Sequence, residues 1–196
     1  GLDLGASFTN VPGGTATWVF TDVTGNYNNA SGAVAIVINK ADATINVDGT
    51  TVTYDGNAHG AAGTAIGVKG ESLAGLDLGA SFTNVPGGTA NWVFTDVTGN
   101  YNDASGSVAI VINKADAAIN VDGTTVTYDG NAHGAAGAAT GVKGESLAGL
   151  DLGASFTNVP GGTATWVFTD VTGNYNDASG SVAILINKAD AAINVD

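Results

Sequence analysis

The chain has 196 residues and carries 16 Asp and 2 Glu against 5 Lys, no Arg and 2 His, a formal charge of −13. An acidic surface without arginine forks repels phosphate backbones and anionic lipid, which speaks against nucleic-acid binding and membrane insertion. With no Cys, disulfides, thiol catalysis and thiolate metal sites are excluded, and the apolar run around VAIVI, at most six residues with Ala33, is too short to span a bilayer. Methionine is absent even at position 1 and no signal peptide is visible, which reads as a processed chain or an excerpt. Thirty glycines among abundant Thr, Val, Asn and Asp favour strands and turns over helices.

An internal repeat organises the sequence. GLDLGASFTNVPGG begins at residues 1, 75 and 149, a period of 74. Residues 1–74 and 75–148 differ at six positions: Thr17/Asn91, Asn29/Asp103, Ala33/Ser107, Thr44/Ala118, Thr64/Ala138 and Ile66/Thr140. The short polar joint Asn113-Lys114-Ala115-Asp116 reads as a boundary. Complete repeats are therefore expected at 41–114 and 115–188, with 1–40 the C-terminal half of an earlier repeat and 189–196 the first strand of the next. On that phase the chain is cut inside a longer array.

Within 41–114, ATINV at 43–47 alternates, placing Ala43, Ile45 and Val47 on one face. Asp48-Gly49 before TTVTY predicts a hairpin with both turn residues at positive φ, and Val52 and Tyr54 inward. GTAIGVKG fits either an edge strand or an irregular stretch. KGESLAGLDLG at 69–79 has room for one helical turn, although its glycines argue against a long helix. SFTNV at 81–85 meets Pro86-Gly87-Gly88, where proline is expected to preset the first torsion of a turn and glycine the second. TANWVFTDV sets Trp92 and Phe94 on one face. The loop GNYNDASG at 99–106 follows, and SVAIVIN puts Val108, Ile110 and Ile112 on a common face. Thr17/Asn91, Ala33/Ser107 and Thr44/Ala118 fall on outward faces. Six or seven short strands per repeat predict an all-β fold of tandem, small antiparallel β-sandwich domains, immunoglobulin-like and joined end to end as a rod. Small β-grasp-like sheet domains are the alternative.

Four groups of residues could carry chemistry. TYDGNAHGA at 53–61, repeated at 127–135, gathers Asp55, Asn57 and His59. An acid–base pair or metal site there would need a third ligand or a nucleophile, and the composition offers one His per repeat. The competing and favoured reading is a strand end and turn, with Asn57 bonding locally to backbone. DVTGNYND at 96–103 is the better calcium candidate, because Asp96, Asn100 and Asp103 supply hard oxygens. It lacks EF-hand spacing, and Asn29 replaces Asp103 in the first copy, so an ordinary hairpin loop competes. Lys114, like Lys69, raises the idea of an isopeptide bond, with Asp42 as acid partner, against the plainer reading of a solvated lysine. Trp92 and Phe94 read as core, which leaves Tyr101 as the nominee for an exposed sugar platform. No catalytic, cofactor-binding or metal-ligating residue is assigned, no cofactor is required, and an enzyme is the least favoured reading.

The segments KADATINVDG (40–49), TVTYDGNAHGA (51–61), VPGGTANWVFTD (85–96), GNYND (99–103) and VAIVINKA (108–115) resemble the tandem MBG repeats, a mostly-β, glycine-rich family of bacterial secreted and surface proteins. The resemblance covers the whole chain. It implies arrays in adhesin-like cell-surface proteins and brings no catalytic residues. The expected function is a structural spacer or stalk of an extracellular adhesin or fibre. The expected partners are neighbouring repeats of the same chain, with other copies laterally or end to end as a further option. Two alternatives are a filament subunit assembling by strand complementation and an adhesion module binding glycan or protein.

Overall fold

A computed structural model describes residues 1–194, and the fold is an all-β sandwich without helices. The first 40 residues form β1 (Leu2–Asp3), β2 (Gly13–Phe20) and β3 (Ala30–Val37). Residues 41–114 form β4 (Thr44–Asp48), β5 (Thr50–Thr53), β6 (Ala62–Ile66), β7 (Leu76–Asp77), β8 (Gly87–Phe94) and β9 (Ala104–Asn113). Residues 115–188 form β10 (Ala118–Asp122), β11 (Thr124–Thr127), β12 (Ala136–Thr140), β13 (Ser146–Leu147), β14 (Leu150–Asp151), β15 (Gly161–Phe168) and β16 (Ala178–Asn187). Ala191–Asn194, expected to open a further strand, are described but take no strand conformation, and residues 195–196 lie outside the described residues. In the earlier copies this segment pairs with a strand about 20 residues downstream, as Ala118–Asp122 does with β12.

The chain divides into two compact units. One holds Gly1–Gly49, Gly60–Ala80 and Thr89–Ala109; the other holds Thr50–His59, Ser81–Gly88 and the chain from Ile110 onward. The second unit contains the whole of residues 115–188 and displays the sandwich fully. Its two sheets have the orders β10-β12-β13 and β11-β16-β15-β14. Their facing sides meet in a core of Ala115, Ala139, Phe168 and Tyr175, flanked by Ile119, Leu147 and Leu150. The alternation expected from the sequence produces this face: along GGTATWVF, Ala164 and Phe168 are buried while Thr163, Thr165 and Val167 are exposed. In the first unit Ala65, Phe94 and Tyr101 form the equivalent cluster with Ala43, Ile45, Leu73 and Leu76.

Two expectations about pairing are overturned. Asp48-Gly49 and Asp122-Gly123 are not hairpin turns, and the sheets are not purely antiparallel. β10 pairs antiparallel with β12, whereas β11 pairs parallel with β16, Thr124 opposite Ile184 through Thr127 opposite Asn187. The earlier copy repeats this: β4 pairs with β6, and β5 runs parallel to Ile110–Asn113. The chain therefore crosses from one sheet to the other within a single residue. Gly123 is needed for close approach rather than for a positive φ, since a Cβ there would sit 2.1 Å from the Ala183 carbonyl oxygen.

The segments that the sequence left open also take definite form. No helix forms in 69–79. Gly67 N–H donates to the Glu71 carbonyl and Gly70 N–H to that of Gly67, a tight loop that returns the chain so that Leu73 N–H reaches Ala65. GTAIGVKG starts as strand β6, and Ile66 faces Thr44 directly, as Thr140 faces Ala118. Two of the six differences between copies are thus one cross-strand pair. SFTNV makes only one bridge, Phe82 to His59, and the following turn places Pro86 third rather than second, closed by Gly87 N–H to the Asn84 carbonyl.

Candidate functional site

The Tyr-Asp-Gly turn follows β5 directly. Tyr54 N–H continues the parallel ladder to the Asn113 carbonyl. Asp55 Oδ1 then accepts the Asn57 N–H at 2.8 Å and lies 2.8 Å from His59 Nε2, while Oδ2 accepts Asn57 Nδ2 at 3.0 Å. The His59 main chain is paired in both directions with Phe82. Asp129, Asn131 and His133 repeat the arrangement. The Asn57 N–H and the His59 ring hold the Asp55 carboxyl well below the ordinary carboxylate range. For Asp129, led by His133, the value falls to about 2. Each carboxylate organises its own turn, and the Asn57 side chain bonds to the Asp55 carboxylate rather than to backbone as expected.

The loop at 96–103 uses its oxygens in the same way. Asp96 Oδ1 accepts the Thr98 N–H and hydroxyl, and Oδ2 accepts the Tyr101 N–H. Burial pushes Asp96 up, but the Tyr101 and Thr98 donors outweigh it and bring it down to about 2. Asp103 Oδ1 accepts the Asp96 N–H at 2.8 Å, and Asn29 does the same for Asp22. Only one acceptor oxygen is needed at that position, so Asn serves as well as Asp. Among the described residues no three acidic or imidazole groups gather where they could hold a metal ion.

Tyr101 is not an exposed sugar platform. It is 5 % exposed and its equivalent Tyr175 is 1 % exposed, because the Asp96 turn folds the loop back and presents the ring to the core. Trp92 is only half-buried and lies over Gly106, while Phe94 is core as expected. The two glutamates were missed in the sequence. Glu71 accepts the Tyr101 hydroxyl, and Glu145 accepts that of Tyr175 at 2.5 Å. Each hydroxyl accepts a main-chain N–H in turn, from Val68 at 3.1 Å and Val142 at 3.0 Å. The only signal was the scarcity of Glu: both copies of the residue sit at one repeat position.

These loops converge on the joint between successive copies. Ala41 N–H donates to the Asn100 carbonyl and Asn102 N–H to that of Ala41. Asp42, the isopeptide nominee, accepts Asn102 Nδ2 at 2.8 Å. Asn100 Oδ1 accepts Val11 N–H at 2.9 Å, and its Nδ2 reaches Asn10 at 3.4 Å. The second joint repeats every bond with Ala115, Asp116, Asn174, Asn176, Val85 and Asn84, and there Asn174 is buried.

No family model and no curated protein matches this chain. Among the described residues no helix is long and apolar enough to cross a membrane. The joint is built twice from equivalent residues.

Proposed function

We propose that the chain is a segment of a stiff spacer, a run of tandem β domains of the MBG type that extends a distal region of a bacterial extracellular adhesin or surface fibre. It performs no catalysis in this reading. One observation supports it: the loop asparagine that holds the joint residue Ala115 or Ala41 through its main chain also bonds, through its side chain, to the turn of the preceding copy, Asn174 with Val85 and Asn100 with Val11. A joint anchored through the Ala115 main chain and without Gly or Pro at Asn113–Ala117 resists bending, and restricted joints make an array extend rather than coil. Near-identical copies then add length without adding a new surface.

Small-angle scattering on arrays of two, four and six copies tests this. The maximum dimension rises in proportion to copy number, and Asn174→Ala at each equivalent position shortens it. A dimension growing as the square root of copy number sinks the spacer. Calcium leaves the curves unchanged, because the Asp96 oxygens are already taken by protein donors.

A further inference from the structure

The chain passes from the copy at 41–114 to the copy at 115–188 through a run held from both sides. Ile110–Asn113, the end of β9, pair in parallel with β5, and the Asn113 carbonyl accepts the Tyr54 N–H at 2.8 Å. Ala115 is then bridged in parallel to Tyr175: its N–H donates to the Asn174 carbonyl at 3.0 Å, and its carbonyl accepts the Asn176 N–H at 2.8 Å. Lys114 alone lies between the two attachments. The copy at 115–188 ends as its predecessor does. Thr124–Thr127 pair in parallel with Ile184–Asn187, and the Tyr128 N–H donates to the Asn187 carbonyl at 2.8 Å. All of these residues belong to the second compact unit.

We propose that each copy is a force-bearing module, with the parallel pair β11–β16 as its shear clamp and β5–β9 as the same clamp in the preceding copy. The argument is one of direction. In each pair one strand lies early in the copy and its partner lies last. Tension along the chain pulls the early strand toward its N-terminus and the last strand toward its C-terminus. The two strands run the same way, so the pulls oppose each other along the strand axis and load the ladder bonds together. A pair pulled apart from one end opens bond by bond instead. Little slack precedes the clamp. β10 and β11 are joined by Gly123 alone, backed against the Ala183 carbonyl. Sliding the ladder also drags Ile184 and Ile186 from buried seats in a packed interior. The Ala115–Tyr175 bridge hands tension from one clamp to the next through a single residue. A spacer needs only a fixed length, which strands in any order supply; the clamp goes beyond that by giving the parallel pair a duty.

Single-molecule pulling on the whole chain tests this. The sequence has no Cys, so two introduced thiols define the points of attachment. Lys114→Cys with Lys188→Cys loads β11–β16 in shear. Tyr128→Cys with Lys188→Cys pulls on strand ends that lie side by side and opens the same ladder from one end. Forced unfolding is governed by the unfolding rate. At equal force the shear pair is expected to unfold about a hundredfold more slowly, the scale of about three net hydrogen bonds broken together rather than in turn. In the shear pair, Tyr128→Pro deletes the donor to Asn187 and speeds unfolding about tenfold, whereas Tyr128→Phe keeps that N–H and leaves the rate in place. Equal rates in the two pulling geometries overturn the proposal, and that comparison needs no destabilising substitution. A shear rate that Tyr128→Pro leaves unchanged overturns it as well. Scattering still reports a stiff array in either event, so the clamp and the spacer fall separately.

Discussion

Tyr175 shows how a single residue ties the loop, the core and a carboxylate together. Its ring is buried against Phe168 and Ala139, and its hydroxyl donates to Glu145. Burial, then Glu145, pushes the phenol up to about 12 from an ordinary 10.0. The neutral form is the one the fold favours. Stability from this group is therefore complete below about pH 10 and lost as the pH rises to about 12. Thermal melts followed between pH 9 and 12, with tyrosinate absorbance recorded in parallel, should show unfolding coincide with ionisation of the buried phenols. Tyr27, the same residue in the first half copy, is 71 % exposed and has no such burial.

At the level of elements, the decisive feature is the one-residue crossing at Gly123. β10 and β11 belong to different sheets, and the crossing brings the main chain against Ala183. Gly123→Ala forces that backbone apart and should cost about 1–3 kcal/mol by urea denaturation, the range for overpacking a tight site. Gly144→Ala makes a useful contrast. Its Cβ meets nothing within 4 Å, so its cost comes from the positive φ alone. The crossing also explains strand length. β16 and β9 run ten residues, while β3 runs eight, because parallel pairing with β11 or β5 holds the last residues of the longer strands. The loops obey a second economy, in which an aspartate builds each turn by accepting main-chain donors.

For the molecule as a whole, these turn-building aspartates set the acid limit. Asp22, Asp96 and Asp129 lie at about 2, and Asp55 and Asp170 are lowered as well. A depressed native value means the charged form is the one bound in the fold. The stabilisation is present above the ordinary value of 3.8 and disappears as the pH falls toward about 2. Circular dichroism melts from pH 7 downward should hold a plateau to about pH 4 and then fall steeply. Asp129→Asn should flatten part of that fall, because Asn cannot lose a charge there. A decline already complete at pH 5 would contradict this assignment and point to groups other than the aspartate turns.

The repeat, the all-β class and the inward faces of ATINV, TANWVF and SVAIVI were all legible in the letters, because each depends on local periodicity and turn chemistry that neighbouring residues settle among themselves. Strand partnership was not legible. Asp-Gly between alternating runs favours a hairpin locally, yet the free energy of burying β10 on one layer and β11 on the other outweighs that preference. The burial of Tyr101, the duty of Glu71 and Glu145, and the meeting of Asn174 with Val85 all join residues 30 to 89 positions apart. Contacts at that range leave no periodic trace along the chain; only the packing of two sheets brings them together.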